Sequence, residues 1–198
     1  MAPVIVDWTK VHEFADAAAF EAWLSENHDK ADEVWILIHK LKSGRPSITP
    51  KEAIDVVLCW GWIDAIRKSH DEHSFLQRYT RRGKKSVWSQ VNVENVARLE
   101  AEGRMTPYGR VHVEAAKADG RWDAAYRIST SEVPEDLMAA IAAEPEAKAL
   151  FEKLTSQNRF ALIFRVNSLK TPAGREKKIR DLVVMLKRGE TIYPQKLG

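Results

Sequence analysis

The fourteen residues from Trp60 to His73, WGWIDAIRKSHDEH, hold two histidines, three acidic side chains and two cations, the residue types from which metal and acid/base sites are built. His70, Asp71, Glu72 and His73 offer imidazole and carboxylate, common zinc and iron ligands. Histidines three positions apart share a face on a helix, but the flanking segments WIDAIRKS and SFLQRYTRR have the pattern of strands, so HDEH reads as the turn between them, with Asp and Ser as turn formers. His12, His28, His39 and His112 are scattered and Cys59 stands alone, so no further cluster completes a ligand set. The reading is a solvated turn, with neither a metal nor another cofactor implied.

Asp64 is a sharper candidate. It sits among Trp62, Ile63 and Ile66, where an unpaired carboxylate is costly. With the hairpin centred on Asp71, Asp64 falls opposite Arg78. Two functions follow: an ion pair that holds the sheet in register, or a general base whose pKa is raised by its surroundings. Cys59, between Leu58 and Trp60, lacks the electropositive setting of a reactive thiol and reads as a buried apolar side chain, and Ser89 reads first as a helix cap.

The basic residues are unevenly spread. The chain has a net charge of +3, yet the segment 67–85 alone carries Arg67, Lys68, Arg78, Arg81, Arg82, Lys84 and Lys85 against Asp71 and Glu72. An anionic partner is expected there. QRYTRRGKKSVWSQVN combines arginine forks, aromatic stacking surfaces and the exposed donors of a helix start, a set suited to small anions. The same features serve nucleic acid, although the overall charge is modest for a dedicated binder. GREKKIRDLVVMLKRG is an amphipathic surface helix with cations at its C-terminal end, which complement the dipole there.

These groups must be carried by an α+β unit. Asp16 caps a helix that runs to about Asp29; EVWILIHK is a strand covered on both sides; Thr49, Pro50 and Glu52 start a helix with a capping box that runs to about Trp60. WIDAIRKS and SFLQRYTRR are two further strands, giving a small, mostly antiparallel sheet of about three. Ser89 caps a helix that stops at Gly103, and Thr106 with Pro107 starts another that stops at Gly120. RISTSEVPED is aperiodic and reads as a linker, dividing the chain into 1–130 and 131–198. Beyond it, Pro134 opens a helix, and Ala147/Leu150/Phe151/Leu154, Phe160/Ile163/Phe164 and Ile179/Leu182/Val183/Leu186 mark three more, a helical bundle.

At 198 residues with 44% hydrophobic content, the chain can bury its own core. One cysteine excludes an intramolecular disulfide, and no apolar run approaches the roughly 20 residues of a membrane helix. MAPVIVDWTKVHEF lacks the pattern of a secretory signal, so the expected location is cytoplasmic. Composition says nothing of oligomeric state.

With VWILIHKLKSG, LCWGWIDAIRKSHD, SVWSQVNVENVARLEAEGRMTPYG and ADGRWDAAY, then SQNRFALIFRV and TPAGREKKIRDLVVMLKRGE, the chain resembles the bacterial YdeI/OmpD-associated, or bacteriocin-protection, family from about Phe14 to Pro194. The polar positions that match the family pattern are Lys40, Gly44, Asp64, Asp71, Arg82, Ser86, Ser89 and Asn92. Where the family has Thr-Pro-Arg this chain has Thr80-Arg81-Arg82, without the proline's fixed bend, and Pro172, Ala173 and Gly174 split the C-terminal Thr-Arg step. The resemblance implies protection against bacteriocins or cationic peptides and no defined catalytic mechanism. The expected site is a pocket where the sheet meets the Ser89 helix, with Trp35 and Trp88 as walls. Lys40, Arg78 and Arg82 would hold an anion, Asp64 would orient an arginine, and Ser89 and Asn92 would cap the helix and contact ligand. The expected activity is binding of an anionic small molecule or a peptide-stress partner; the alternatives are an enzyme using Asp64 and a nucleic-acid binder using the 78–85 stretch.

Overall fold

The computed structural model describes residues 4–126 and 132–196. The chain divides into two compact units, Met1–Ala125 and Tyr126–Gly198. The first has the element order β1 (Val11–His12), α1 (Ala17–Asn27), β2 (Glu33–His39), α2 (Pro50–Cys59), β3 (Trp62–Ser69), β4 (Ser74–Arg81), α3 (Gln90–Ala101) and α4 (Pro107–Ala118). The second holds α5 (Glu135–Ala142), α6 (Pro145–Glu152), α7 (Ser156–Asn167) and α8 (Pro172–Lys187).

The α+β class holds, but the sheet has four strands in the order β1-β2-β4-β3 and is mixed. The added strand is the two-residue β1, which pairs parallel to β2 through Val11 with Trp35 and His12 with Ile36. Two residues carry no alternation to detect. The N-terminal segment before it is tied to the sheet at both ends, because Lys10 bonds Glu33 at 3.1 Å and the Lys68 ammonium reaches the Val4 carbonyl.

The helix starts follow their caps. Asp16 accepts from the Ala19 N–H at 2.9 Å, Thr49 and Glu52 form the full capping box, and Ser89 and Thr106 accept from Asn92 and Gly109. Val34, Ile36 and Ile38 of β2 pack with Tyr79, Trp62, Phe20, Leu24 and Val56 in one core. Leu58 and Cys59, on the other side of α2, join Trp88, Val96, Leu99, Met105 and Val113 in a second. α2 is therefore buried on two faces, between the sheet and the α3–α4 pair.

The second unit packs Leu137, Ile141, Leu150, Phe151, Leu162, Val166, Leu182 and Leu186 into its own core. In α7 Ile163 is buried as expected, but its buried neighbours are Ala161, Leu162 and Val166 rather than Phe160 and Phe164. Phe160 instead stacks on Tyr126 with ring centroids 4.8 Å apart, and Phe164 meets the same ring tilted, at 5.8 Å. Of the expected linker, residues 127–131 lie outside the described residues; its last part leads into α5 at Glu135.

Candidate functional site

HDEH is the hairpin turn. The Asp71 carboxylate accepts from the His73 N–H at 2.8 Å, the Ser74 N–H at 2.6 Å and the Ser74 hydroxyl at 2.8 Å, a local ring of bonds that closes the loop. These bonds hold its carboxyl below the usual carboxylate range. Lys40 clamps the same turn, donating to the Asp71 and Glu72 carbonyls at 3.1 and 3.0 Å. Among the described residues no three His, Cys, Asp or Glu side chains gather to hold a metal. Cys59 is buried, and burial pushes its thiol up to about 11, which leaves it unreactive.

Asp64 does not face Arg78. The hairpin register pairs Asp64 with Tyr79 and Trp62 with Arg81, one residue away from the expected register, and an irregularity between Asp64 and Arg67 shifts it again. A one-residue slip exchanges the two faces of a strand, so Asp64 shares the helix-covered face with Tyr79, while Arg78 points the other way. There Arg78 stands opposite Trp35 and forms an ion pair with Glu33. Among the described residues no cation lies within ion-pair distance of Asp64. Crowding around its carboxyl raises the pKa, opposed by its own backbone N–H and by the fields of Arg82 and Arg67, although the residue as a whole is exposed to solvent. Burial, followed by the Asp64 charge, pushes the neighbouring Tyr79 phenol upward too.

The eight expected site residues therefore separate. Trp35 and Arg78 occupy one face of the sheet, Asp64 the other, and Lys40 the far end beside the hairpin turn. Trp35 and Trp88 are almost wholly buried and form core rather than pocket wall. Arg82, Trp88, Ser89 and Asn92 do come together at the start of α3. The Arg82 guanidinium lies 3.7 Å from the Trp88 ring centroid and donates to the Val87 carbonyl at 3.1 Å; Ser89 caps α3 through the Asn92 N–H at 3.2 Å.

The chemistry converges elsewhere, at the start of the same WGWID stretch. A cleft of about 310 Å³ is bounded by His28 at the end of α1, Trp60 and Gly61 after α2, Arg81 and Arg82 leaving β4, and Tyr108 and His112 one turn apart on α4. Two backbone joints assemble it. The Arg82 N–H donates to the Gly61 carbonyl at 3.0 Å, and Thr106 bonds the Cys59 carbonyl through its hydroxyl at 2.6 Å and its N–H at 3.2 Å. The N-terminus of α4 thereby meets the C-terminal carbonyls of α2, a favourable opposition of helix ends.

The walls of the cleft are aromatic. Tyr108 lies nearly parallel to Trp60, 13° apart with centroids at 5.7 Å, and its ring is 3.9 Å from that of His28. The Trp60 indole N–H and His28 Nε2 are buried with no hydrogen-bond partner among the described residues. His28 Nδ1 faces the Leu24 carbonyl at 3.1 Å, a contact that calls for an N–H there; in the neutral ring Nε2 is then an acceptor. Tyr108, 51% exposed, covers both. Arg81 and Arg82 supply positive charge against Asp29 on the rim.

Burial first, then the charges of Arg82 and Arg121, lower the His112 pKa. Near pH 6 the folded state therefore binds fewer protons than the unfolded chain at this residue. Its contribution to stability is complete above the unfolded value of about 6.5 and is lost as pH falls through the lower folded value. Asp64, with a raised pKa, acts in the opposite direction at more acid pH. The expected result is a melting temperature of the N-terminal unit that falls from pH 7 to pH 5, by less in His112→Gln; an equal fall in both proteins would remove His112 as the cause.

Sequence reasoning missed His28, Trp60, Tyr108 and His112 as a group. Tyr108 and His112 are four apart and share a helix face, the one available signal; their meeting with Trp60 depends on the α2–α4 joint.

Residues 12–112 match the model of a domain of unknown function, DUF8412, and residues 130–189 match the family described as bacteriocin-protection, YdeI or OmpD-associated. The chain belongs to the DUF8412 family, whose model spans half of it, and its C-terminal unit carries the match to the bacteriocin-protection, YdeI or OmpD-associated family. The N-terminal stretches that carried the family resemblance fall mainly within the DUF8412 match, and so does the whole aromatic cleft. No curated protein and no solved structure matches the chain.

Proposed function

We propose that this protein, whose C-terminal unit matches the bacteriocin-protection, YdeI or OmpD-associated family, is a cytoplasmic binding protein that takes a small anion with a flat ring in the Trp60–Tyr108 cleft. The observation that carries the reading is the pairing of aromatic walls with unpartnered polar atoms beneath them, flanked by Arg81 and Arg82. A planar ring can replace part of the Tyr108 contact on Trp60. An acceptor on the ligand satisfies the Trp60 N–H, and negative charge is favoured by the arginines and by protonation of His112. The volume is at the lower end of the roughly 300–1,000 Å³ of small-molecule sites, so the ligand is compact.

Thermal shift with nucleoside monophosphates, benzoate and inorganic phosphate tests this. A planar anion at about 100 times its Kd adds roughly 2.7 kcal/mol and raises the melting temperature by several degrees. Tyr108→Ala and His112→Ala should each weaken binding about tenfold or more, and affinity should rise as pH falls from 7 to 5. Equal shifts by benzoate and benzyl alcohol, or binding unchanged in the Tyr108→Ala/His112→Ala double variant, would count against the cleft.

A second reading, an enzyme with Asp64 as general base, is supported by the raised Asp64 pKa and by the buried Tyr79 hydroxyl, which has no partner among the described residues. Its test is an activity on small anionic substrates that Asp64→Asn abolishes while Tyr108→Ala does not. The nucleic-acid reading has less support, since the basic stretch is dispersed: Arg78 pairs with Glu33, Arg82 is buried, and Lys84 and Lys85 are exposed.

A further inference from the structure

At the opposite end of the β3–β4 hairpin, a second cleft of about 680 Å³ lies beneath the connection from β2 to α2, and it shares no lining residue with the first. Its floor is apolar: Ile38 and Ile48 are fully buried and Phe75 is half-buried. Leu41, wholly exposed, stands on the rim.

Three cations line it, and two are already engaged. Lys40 holds the hairpin turn, and Arg45 pairs with Glu13 at 3.1 Å, a carboxylate that also bonds His39 at 2.8 Å. Arg67 differs. Its Nε donates to the Gln77 amide oxygen at 2.9 Å and its guanidinium lies 4.6 Å from the Phe75 ring centroid, which fixes its plane. Its two Nη groups have neither a hydrogen bond nor an ion pair among the described residues, and Asp64 acts on it only through its field. A guanidinium fixed over an aromatic ring, with two donors unused beside an apolar floor, is arranged to receive a carboxylate bidentately while the attached hydrocarbon replaces water on Leu41, Pro46 and Phe75 above Ile38 and Ile48.

We propose that this cleft binds a small carboxylate with an aliphatic body, Arg67 gripping the carboxylate and the β2–α2 connection enclosing the chain. The site is separate from the aromatic cleft and selects a different shape, a flexible hydrocarbon rather than a flat ring.

Titrating the intact protein with sodium hexanoate, followed by amide NMR shifts, provides the test. Saturable shifts are expected at Ile38, Ser47, Ile48 and Phe75. 1-Hexanol should bind at least tenfold more weakly, since it lacks the charge, and Arg67→Gln should lose about tenfold or more in hexanoate affinity. Arg67→Lys, which keeps the charge but not the fork, should fall between. Arg81→Ala, at the other cleft, should leave hexanoate binding intact, so that failure of one site is distinguishable from failure of the other. Equal affinity for hexanoate and hexanol, unchanged affinity in folded Arg67→Gln, or shifts confined to Tyr108 and His112 would overturn the assignment.

Discussion

Gly109→Ala is expected to destabilise the N-terminal unit by about 3 kcal/mol, lowering its melting transition by roughly 10 °C while the C-terminal unit melts unchanged. Helix propensity alone predicts the opposite, since alanine is favoured over glycine by up to about 1 kcal/mol within a helix. The geometry decides the sign. A Cβ at Gly109 would lie 2.4 Å from the Cys59 carbonyl oxygen and 2.7 Å from that of Leu58. Both obstacles are backbone and cannot swing aside, so α4 must withdraw from the end of α2 and the Thr106 bonds to Cys59 stretch. Calorimetry that resolves the two units measures it. A stabilised or unchanged first transition would show that the two helix ends do not approach as described.

Gly61→Ala is expected to be nearly as damaging and, unlike a general loss of stability, to disable the aromatic cleft in the protein that remains folded. Gly61 has φ +72° and its Cβ would lie 2.6 Å from His112 Cδ2 and 2.9 Å from the Tyr108 carbonyl oxygen. Gly103 supplies the control, because it has φ +70° with nothing within 4 Å. Gly103→Ala should cost only the left-handed strain of about 1–2 kcal/mol, and Gly61→Ala that amount plus about 1–3 kcal/mol of overpacking. The difference between the two variants measures the contact of WGW with α4. Ligand binding at the cleft should be intact in Gly103→Ala and weakened in Gly61→Ala; equal behaviour in both would mean that Gly61 does not seat His112.

Much of this architecture is legible in short stretches of chain. Asp16, Thr49 with Glu52, Ser89 and Thr106 start their helices where they stand because a side-chain oxygen meets donors three residues on, an interaction that needs no tertiary context. The same locality made HDEH readable as a turn, since Asp71 bonds His73 and Ser74. β1 was not legible because it is defined by its partner Trp35–Ile36 rather than by any pattern of its own. The facing of Asp64 failed for a related reason: a hairpin's register depends on where the turn closes, and a displacement of one residue together with the irregularity before Arg67 moved the expected partner to the opposite face.

The amino-acid sequence by itself determined the main helices and three of the four strands, the α+β unit followed by a helical unit, the polar turn and the buried cysteine, all from interactions within a few residues or from composition. Tertiary structure alone decided which polar groups meet. It buried Trp35 and Trp88, engaged Lys40 and Arg78 in structural contacts, and gathered His28, Trp60, Tyr108 and His112, spread over 85 positions, around one cleft. Glycines let backbones approach closely enough at the α2–α4 joint for those rings to touch, and such an approach is a property of two distant segments at once.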